Sequence, residues 1–139
     1  MGHPVSHGEF GMSRLRVLIV EDEMIIAWDL RLTLEGLGCE VVSTETTARG
    51  AVEAARKKDP ELILTDILLK GTETGIDAAR EIRQFSEVPI IYLTGNTDLA
   101  TPDVIRQTRI QGLYGKPPSR EELEKMIRRC RDNQETIRS

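Results

Sequence analysis

The chain has 139 residues, 39% of them hydrophobic and 30% charged, with 19 Lys and Arg against 23 Asp and Glu for a net charge of −4. That length and composition describe one globular domain able to bury its own core, and they exclude a disordered chain. The acidic balance argues against a surface built to grip nucleic acid or anionic lipid, and no apolar run approaches the roughly 18 residues of a membrane span.

Residues 1–13 carry Gly, His, Pro and Ser without periodicity and read as a tail, an expression-tag remnant, leaving residues 14–139 as the domain. Both histidines, His3 and His7, fall in that tail, so the domain itself offers no imidazole base or ligand. Cys39 and Cys130 lack any metal-binding spacing and read as structural thiols of a reduced, cytoplasmic protein.

From Arg16 onward, buried apolar runs alternate with helical patterns. Arg16–Val20 reads as a strand covered on both faces, followed by a helix over Met24–Leu37 with Ala27, Leu30, Leu34 and Leu37 at three/four spacing. A second strand at Glu40–Thr44 leads to a helix over Thr47–Lys58, which Asp59-Pro60 ends. The third strand, Leu62–Thr65, runs into Asp66, and a loop with Gly71 and Gly75 precedes a helix predicted over Ile76–Phe85. Pro89–Leu93 is the fourth strand, and a fourth helix of weak periodicity is expected over Asp98–Thr108. Gln111–Gly115 is the fifth strand, and Ser119 with Glu122 forms a capping box for the last helix. Five strands alternating with five helices predict an α/β, (βα)5 doubly wound fold around a five-stranded parallel sheet of order 2-1-3-4-5.

In such sheets the functional crevice lies at the carboxyl ends of the strands, beside the switch between strands 1 and 3. Those ends carry Glu21-Asp22-Glu23, Asp66, Thr94-Gly95 and Lys116-Pro117. Carboxylates gathered from two adjacent strands repel one another unless a cation neutralises them, and hard oxygen donors on a half-open site suit Mg²⁺. A metal, a lysine, a hydroxyl donor and a nucleophile together suit phosphoryl transfer to a carboxylate.

With VEDE at 20–23, LTDI at 64–67, LTG at 93–95 and GKP at 115–117, the sequence resembles the response-regulator receiver domain over nearly all of its length after Met12. The resemblance implies a flavodoxin-like fold and a role in two-component signalling. Asp66 would be the phosphoacceptor, charged by a histidine kinase or a phosphotransfer protein. Asp22 would ligate Mg²⁺ directly, Glu21 through water, and Leu68 through its backbone carbonyl. Thr94 would bind the phosphoryl group, Lys116 would pair with it, and Lys116-Pro117 would be a cis peptide. Such a domain modifies only itself and is not an enzyme toward other substrates. Its signal would pass to a downstream protein effector through the face formed by the fourth helix, fifth strand and fifth helix, with no direct nucleic-acid or membrane contact. With no output domain after the fifth helix, a stand-alone regulator and an excised receiver both fit.

The sequence also departs from the usual receiver pattern. The loop after Asp66 (LLKGTETG) is about one residue longer than in many receivers and lacks their proline. Leu113 stands where an aromatic switch residue is common, Tyr114 falls on the opposite face, and Pro118 replaces an aromatic. YLTGN at 92–96 resembles a receiver variant with an aromatic two before the threonine. Three rival readings meet specific obstacles. A metal-dependent phosphoryl hydrolase on a related sheet wants a second acid where Leu68 stands, and a flavin binder would find its phosphate repelled by Glu21-Asp22-Glu23. A pseudo-receiver acting without phosphorylation would have no use for the full set of acids, hydroxyl and lysine.

Overall fold

The computed structural model describes residues 14–138, so the tail expected over residues 1–13 lies outside the described residues. The strands are β1 (Arg16–Val20), β2 (Glu40–Glu45), β3 (Leu62–Asp66), β4 (Ile90–Thr94) and β5 (Gly112–Gly115). All pair in parallel, in the order β2-β1-β3-β4-β5. β3 and β4 are buried at every residue, whereas edge strands β2 and β5 are largely half-buried. The near-continuous apolar runs in the sequence thus mark the central strands, where both faces are covered.

The helices are α1 (Met24–Gly36), α2 (Ala48–Lys58), α3 (Gly75–Ile82), α4 (Pro102–Thr108) and α5 (Arg120–Arg138). Strand alternation divides the core into two layers. Val17, Ile19, Leu62, Leu64, Ile91 and Leu93 meet Leu30 and Leu34 of α1 and Leu123, Met126 and Cys130 of α5. Leu18, Val20, Ile63, Ile90 and Tyr92 meet the alanine-rich face of α2, Ala78, Ala79 and Ile82 of α3, and Val104 of α4. Short side chains on α2 let that helix lie close to the sheet. Among the described residues, no helix is long and apolar enough to cross a membrane.

Local chemistry explains the boundaries. Thr47 caps α2 by accepting from the Gly50 amide, and Asp59 ends that helix in the left-handed region at φ 48°. Thr74 and Asp77 form a reciprocal capping box on α3, as do Ser119 and Glu122 at the start of α5. Two helices are shorter than the sequence pattern suggests. α3 ends at Ile82 rather than Phe85, and its last carbonyls are taken up by turns through Arg83–Ser86. The helix expected over Asp98–Thr108 is two pieces, a 3-10 turn at Thr97–Leu99 and α4 from Pro102. Proline disfavours helical geometry in the residue before it, so Thr101 is extended (ψ 161°) and caps a new helix at the Val104 amide.

Candidate functional site

The sheet ends converge as the strand order requires. β1 delivers Glu21 and Asp22, β3 ends on Asp66, β4 on Thr94, and Lys116 follows β5. Ligand atoms of Glu21, Asp22 and Asp66 all lie within 4.8 Å of one another. Lys116 Nζ donates to Asp66 Oδ2 at 2.6 Å and to Glu21 Oε1 at 3.0 Å, with Glu23 Oε1 at 4.0 Å. Three close carboxylates and one ammonium leave an excess of negative charge on oxygen donors, a set whose chemistry fits Mg²⁺.

Burial distinguishes the acids. Glu21 is 1% exposed, and loss of solvent raises its carboxyl above the usual carboxylate range, despite the Glu23 amide and Lys116, which both favour the charged form. Burial opposes the charge on Lys116, but hydrogen bonds to Asp66 and Glu21 outweigh it and hold its pKa above the ordinary lysine value. Asp22 reaches the cavity from a half-buried position, and its Oδ2 accepts from the Lys70 amide at 2.7 Å. Asp66 Oδ1 accepts from the Leu68 amide at 3.2 Å. The β3–α3 loop thereby holds both acids by backbone donors.

An open cavity of about 720 Å³ lies over this cluster, lined by Asp22, Asp66, Leu68, Lys70, Thr94 and Lys116 among others. All the acids and the lysine singled out in the sequence are thus brought together, and the Lys116–Pro117 peptide is cis. Leu68 is exposed at the cavity rim. Thr94 lines the cavity too, but its hydroxyl is engaged elsewhere: it donates to the Asn96 carbonyl and accepts from the Asn96 amide, both at 3.1 Å.

Sequence reasoning missed three supporting features. The Glu23 amide donates to Glu21 Oε2 at 2.9 Å, so Glu23 contributes its backbone more than its exposed carboxylate. The Lys70 amide clamps Asp22 across 48 residues of sequence, which no local pattern reveals. Gly75 packs directly on the Asp66 backbone, and its amide donates to the Ile67 carbonyl at 2.8 Å. An isolated glycine at the start of a helical pattern was the available signal for it.

Comparison with known proteins agrees with this geometry. A family model described as response regulator receiver domain matches residues 17–128. The chain is 43% identical over 79 residues to the phyllosphere-induced regulator PhyR of Methylorubrum extorquens, covering 56% of this chain and 30% of that protein. It superposes with a TM-score of 0.74 and 32% identity on the solution structure of the PhyR receiver domain of Erythrobacter litoralis, covering 85% of this chain and 90% of that one. The crystal structure of the signal receiver domain of a modulated diguanylate cyclase from Desulfovibrio desulfuricans gives a TM-score of 0.80 at 29% identity, covering 90% and 99%. The chain spans about a third of the length of the curated relatives it matches.

Proposed function

The chain belongs to the response-regulator receiver family, and we propose that within it Asp66 takes the phosphoryl group, Thr94 binds it, Lys116 pairs with it, and Glu21, Asp22, Asp66 and the Leu68 carbonyl hold Mg²⁺. The observation that carries this reading is Lys116 Nζ bridging Asp66 and Glu21 from the far side of a three-carboxylate cluster. A receiver of this kind modifies its own aspartate and acts on no external substrate.

In the transfer, an Asp66 carboxylate oxygen bonds to phosphorus as the donor's P–N bond, or the P–O bond of a small acyl phosphate, breaks. The donor departs with the electron pair and Asp66 is left as an acyl phosphate. Bound at the acidic cluster, Mg²⁺ supplies positive charge for the carboxylate and phosphoryl oxygens. Lys116, already 2.6 Å from Asp66, exchanges one of its carboxylate contacts for a phosphoryl oxygen. The Thr94 hydroxyl turns its donor from the Asn96 carbonyl to the same group. A histidine kinase or phosphotransfer protein in the cytoplasm is the donor, and a protein effector reads the face made by α4, β5 and α5.

Intact-mass measurement after incubation with acetyl phosphate and Mg²⁺ tests the assignment. The wild type should gain about 80 Da and Asp66→Asn should gain nothing. An increment that persists in Asp66→Asn, or that does not need the metal, would overturn it.

A further inference from the structure

β4 holds more than the site threonine. Strand alternation sends Tyr92 to the same face as Thr94, into the layer under α2, α3 and α4, where Tyr92 is fully buried. Its phenol donates to Thr108 Oγ1 at 2.9 Å, and the Thr108 hydroxyl donates onward to the Val104 carbonyl at 2.7 Å. Thr108 is the last residue of α4 and is itself 0% exposed. In register with Tyr92 on β5 stands Leu113, a smaller side chain packed against the same layer. From the other side, Arg83 of the α3 turn donates to the Thr108 carbonyl at 2.7 Å and to the Arg109 carbonyl at 3.3 Å.

The opposite end of α4 is held differently. Thr94 and Asn96 exchange hydrogen bonds, the Asn96 side chain caps the Asp98 amide, and Thr101 caps Val104. These are local bonds, those at Asp98 and Val104 exposed and the Thr94–Asn96 pair part-buried, and the first of them must open if Thr94 is to donate to a phosphoryl group. One end of α4 is therefore tied to the movable threonine and the other to a buried phenol two residues earlier on the same strand.

We propose that the Tyr92–Thr108 hydrogen bond is a pivot: it fixes the C-terminal end of α4 to β4 while the N-terminal end moves with Thr94 when Asp66 is phosphorylated. The pivot rests on the phosphoacceptor reading above. It gives Tyr92 a positioning role in the response, in a chain whose β5 carries Leu113 in place of an aromatic ring. The signal is a tilt of α4 about its buried end, because a doubly anchored C-terminus cannot translate with the loop.

Amide hydrogen exchange, with and without beryllofluoride and Mg²⁺, tests this on the full chain as wild type, Tyr92→Phe, Thr108→Val and the double variant. In the wild type, beryllofluoride should alter exchange over residues 95–104 and leave 107–110 unchanged. Tyr92→Phe keeps the ring and its packing, and should speed exchange at residues 106–109 about fivefold without ligand, the equivalent of one net hydrogen bond. In that variant the ligand response should spread to residue 109. Thr108→Val loses that bond together with the one to the Val104 carbonyl, so it should speed exchange there at least as much. The double variant should add little to Thr108→Val, since the Tyr92–Thr108 bond is already gone. A wild-type response of equal size at both ends of α4, or a Tyr92→Phe variant indistinguishable from wild type, overturns the pivot. If beryllofluoride changes nothing at residues 66–70 either, the phosphoacceptor reading has failed and the pivot fails with it.

Discussion

Gly75 rests against the carbonyl of Asp66 so closely that a Cβ on residue 75 would stand 1.9 Å from that oxygen. It would also stand 2.9 Å from the Thr65 hydroxyl. The first residue of α3 is thus seated on the backbone of the proposed phosphoacceptor. Gly75→Ala must push α3 and β3 apart, an overpacking cost of about 1–3 kcal/mol that exceeds the helix-propensity gain. Thermal melting should show Tm lowered by about 5–10 °C. Gly36, at the end of α1 with nothing within 4 Å of its would-be Cβ, is the control. Gly36→Ala should stabilise by about 0.5–1 kcal/mol, and equal effects at the two sites would contradict the close approach.

The sheet order and the acidic cluster were legible in the sequence because both follow from strong, local signals. Buried strands such as LILT announce themselves by composition, and the chemistry sits at their last residues by topology. At Pro102 a faint helical periodicity and proline chemistry point in opposite directions, and the proline prevails: Thr101 is extended and a new helix starts after it. What stayed hidden depends on side-chain or backbone contacts across many residues. The Lys70 amide on Asp22 and the Tyr92 phenol on Thr108 are not properties of any window of sequence. Nor could the sequence show that the Thr94 hydroxyl is already occupied by Asn96.

Lys116 and Asp22 should respond oppositely to removal. Lys116→Met strips the cation from Glu21, a carboxylate buried to 1% exposure, and leaves Asp66 and Asp22 to repel it. Breaking a buried pair typically costs about 3–5 kcal/mol; because the Lys116 end opens onto the cavity, about 2–3 kcal/mol is expected. Asp22→Ala loses the Lys70 amide bond but relieves the same repulsion, so its stability should stay level. Urea unfolding of the two variants, read beside metal-dependent labelling, separates the effects. Both should lose labelling, and only Lys116→Met should lose stability.

The two thiols predict an alkaline limit. Burial pushes Cys39 up to about 11 and Cys130 up to about 12, above the ordinary thiol range. A group whose folded pKa is raised stabilises the fold fully below its unfolded pKa, and that contribution is lost as pH rises through the folded value. Stability should therefore hold to about pH 9 and decline from there toward 11 and 12, seen as a falling urea midpoint. At pH 8 the native protein should react with iodoacetamide at least about a hundredfold more slowly than the unfolded chain. Rapid alkylation of either cysteine in the native state would contradict this.

Leu68 should make the acyl phosphate long-lived. It stands at the cavity rim two residues after Asp66, and a leucine side chain offers no hydrogen bond to hold an attacking water in line. Leu68→Asn supplies one and should speed loss of the phosphoryl group by at least about threefold, followed as decay of the intact-mass increment. Asn96 lines the same cavity but spends its side-chain oxygen capping the Asp98 amide, which leaves that oxygen engaged away from such a water. Unchanged or slower decay in Leu68→Asn would place the water elsewhere.

How the signal leaves the site turns on Thr94 and Leu113. To reach a phosphoryl group in the proposed role, the Thr94 hydroxyl would have to give up its donor bond to the Asn96 carbonyl, which would loosen the turn leading into α4. Leu113 is half-buried and packed against the α4-side layer, while Tyr114, its neighbour on β5, packs with the opposite layer and cannot replace it. No ring on β5 is therefore placed to follow the threonine. Thr94→Ala should accelerate exchange at the Asn96 and Asp98 amides without ligand and abolish the beryllofluoride response over residues 95–104. Thr94→Ser keeps the hydroxyl and should retain most of both. Leu113→Ala removes packing at a partly exposed edge strand and should lower stability by about 1–2 kcal/mol while leaving the response in place. A response that survives Thr94→Ala but disappears in Leu113→Ala would show that β5, and not the loop after β4, carries the signal outward.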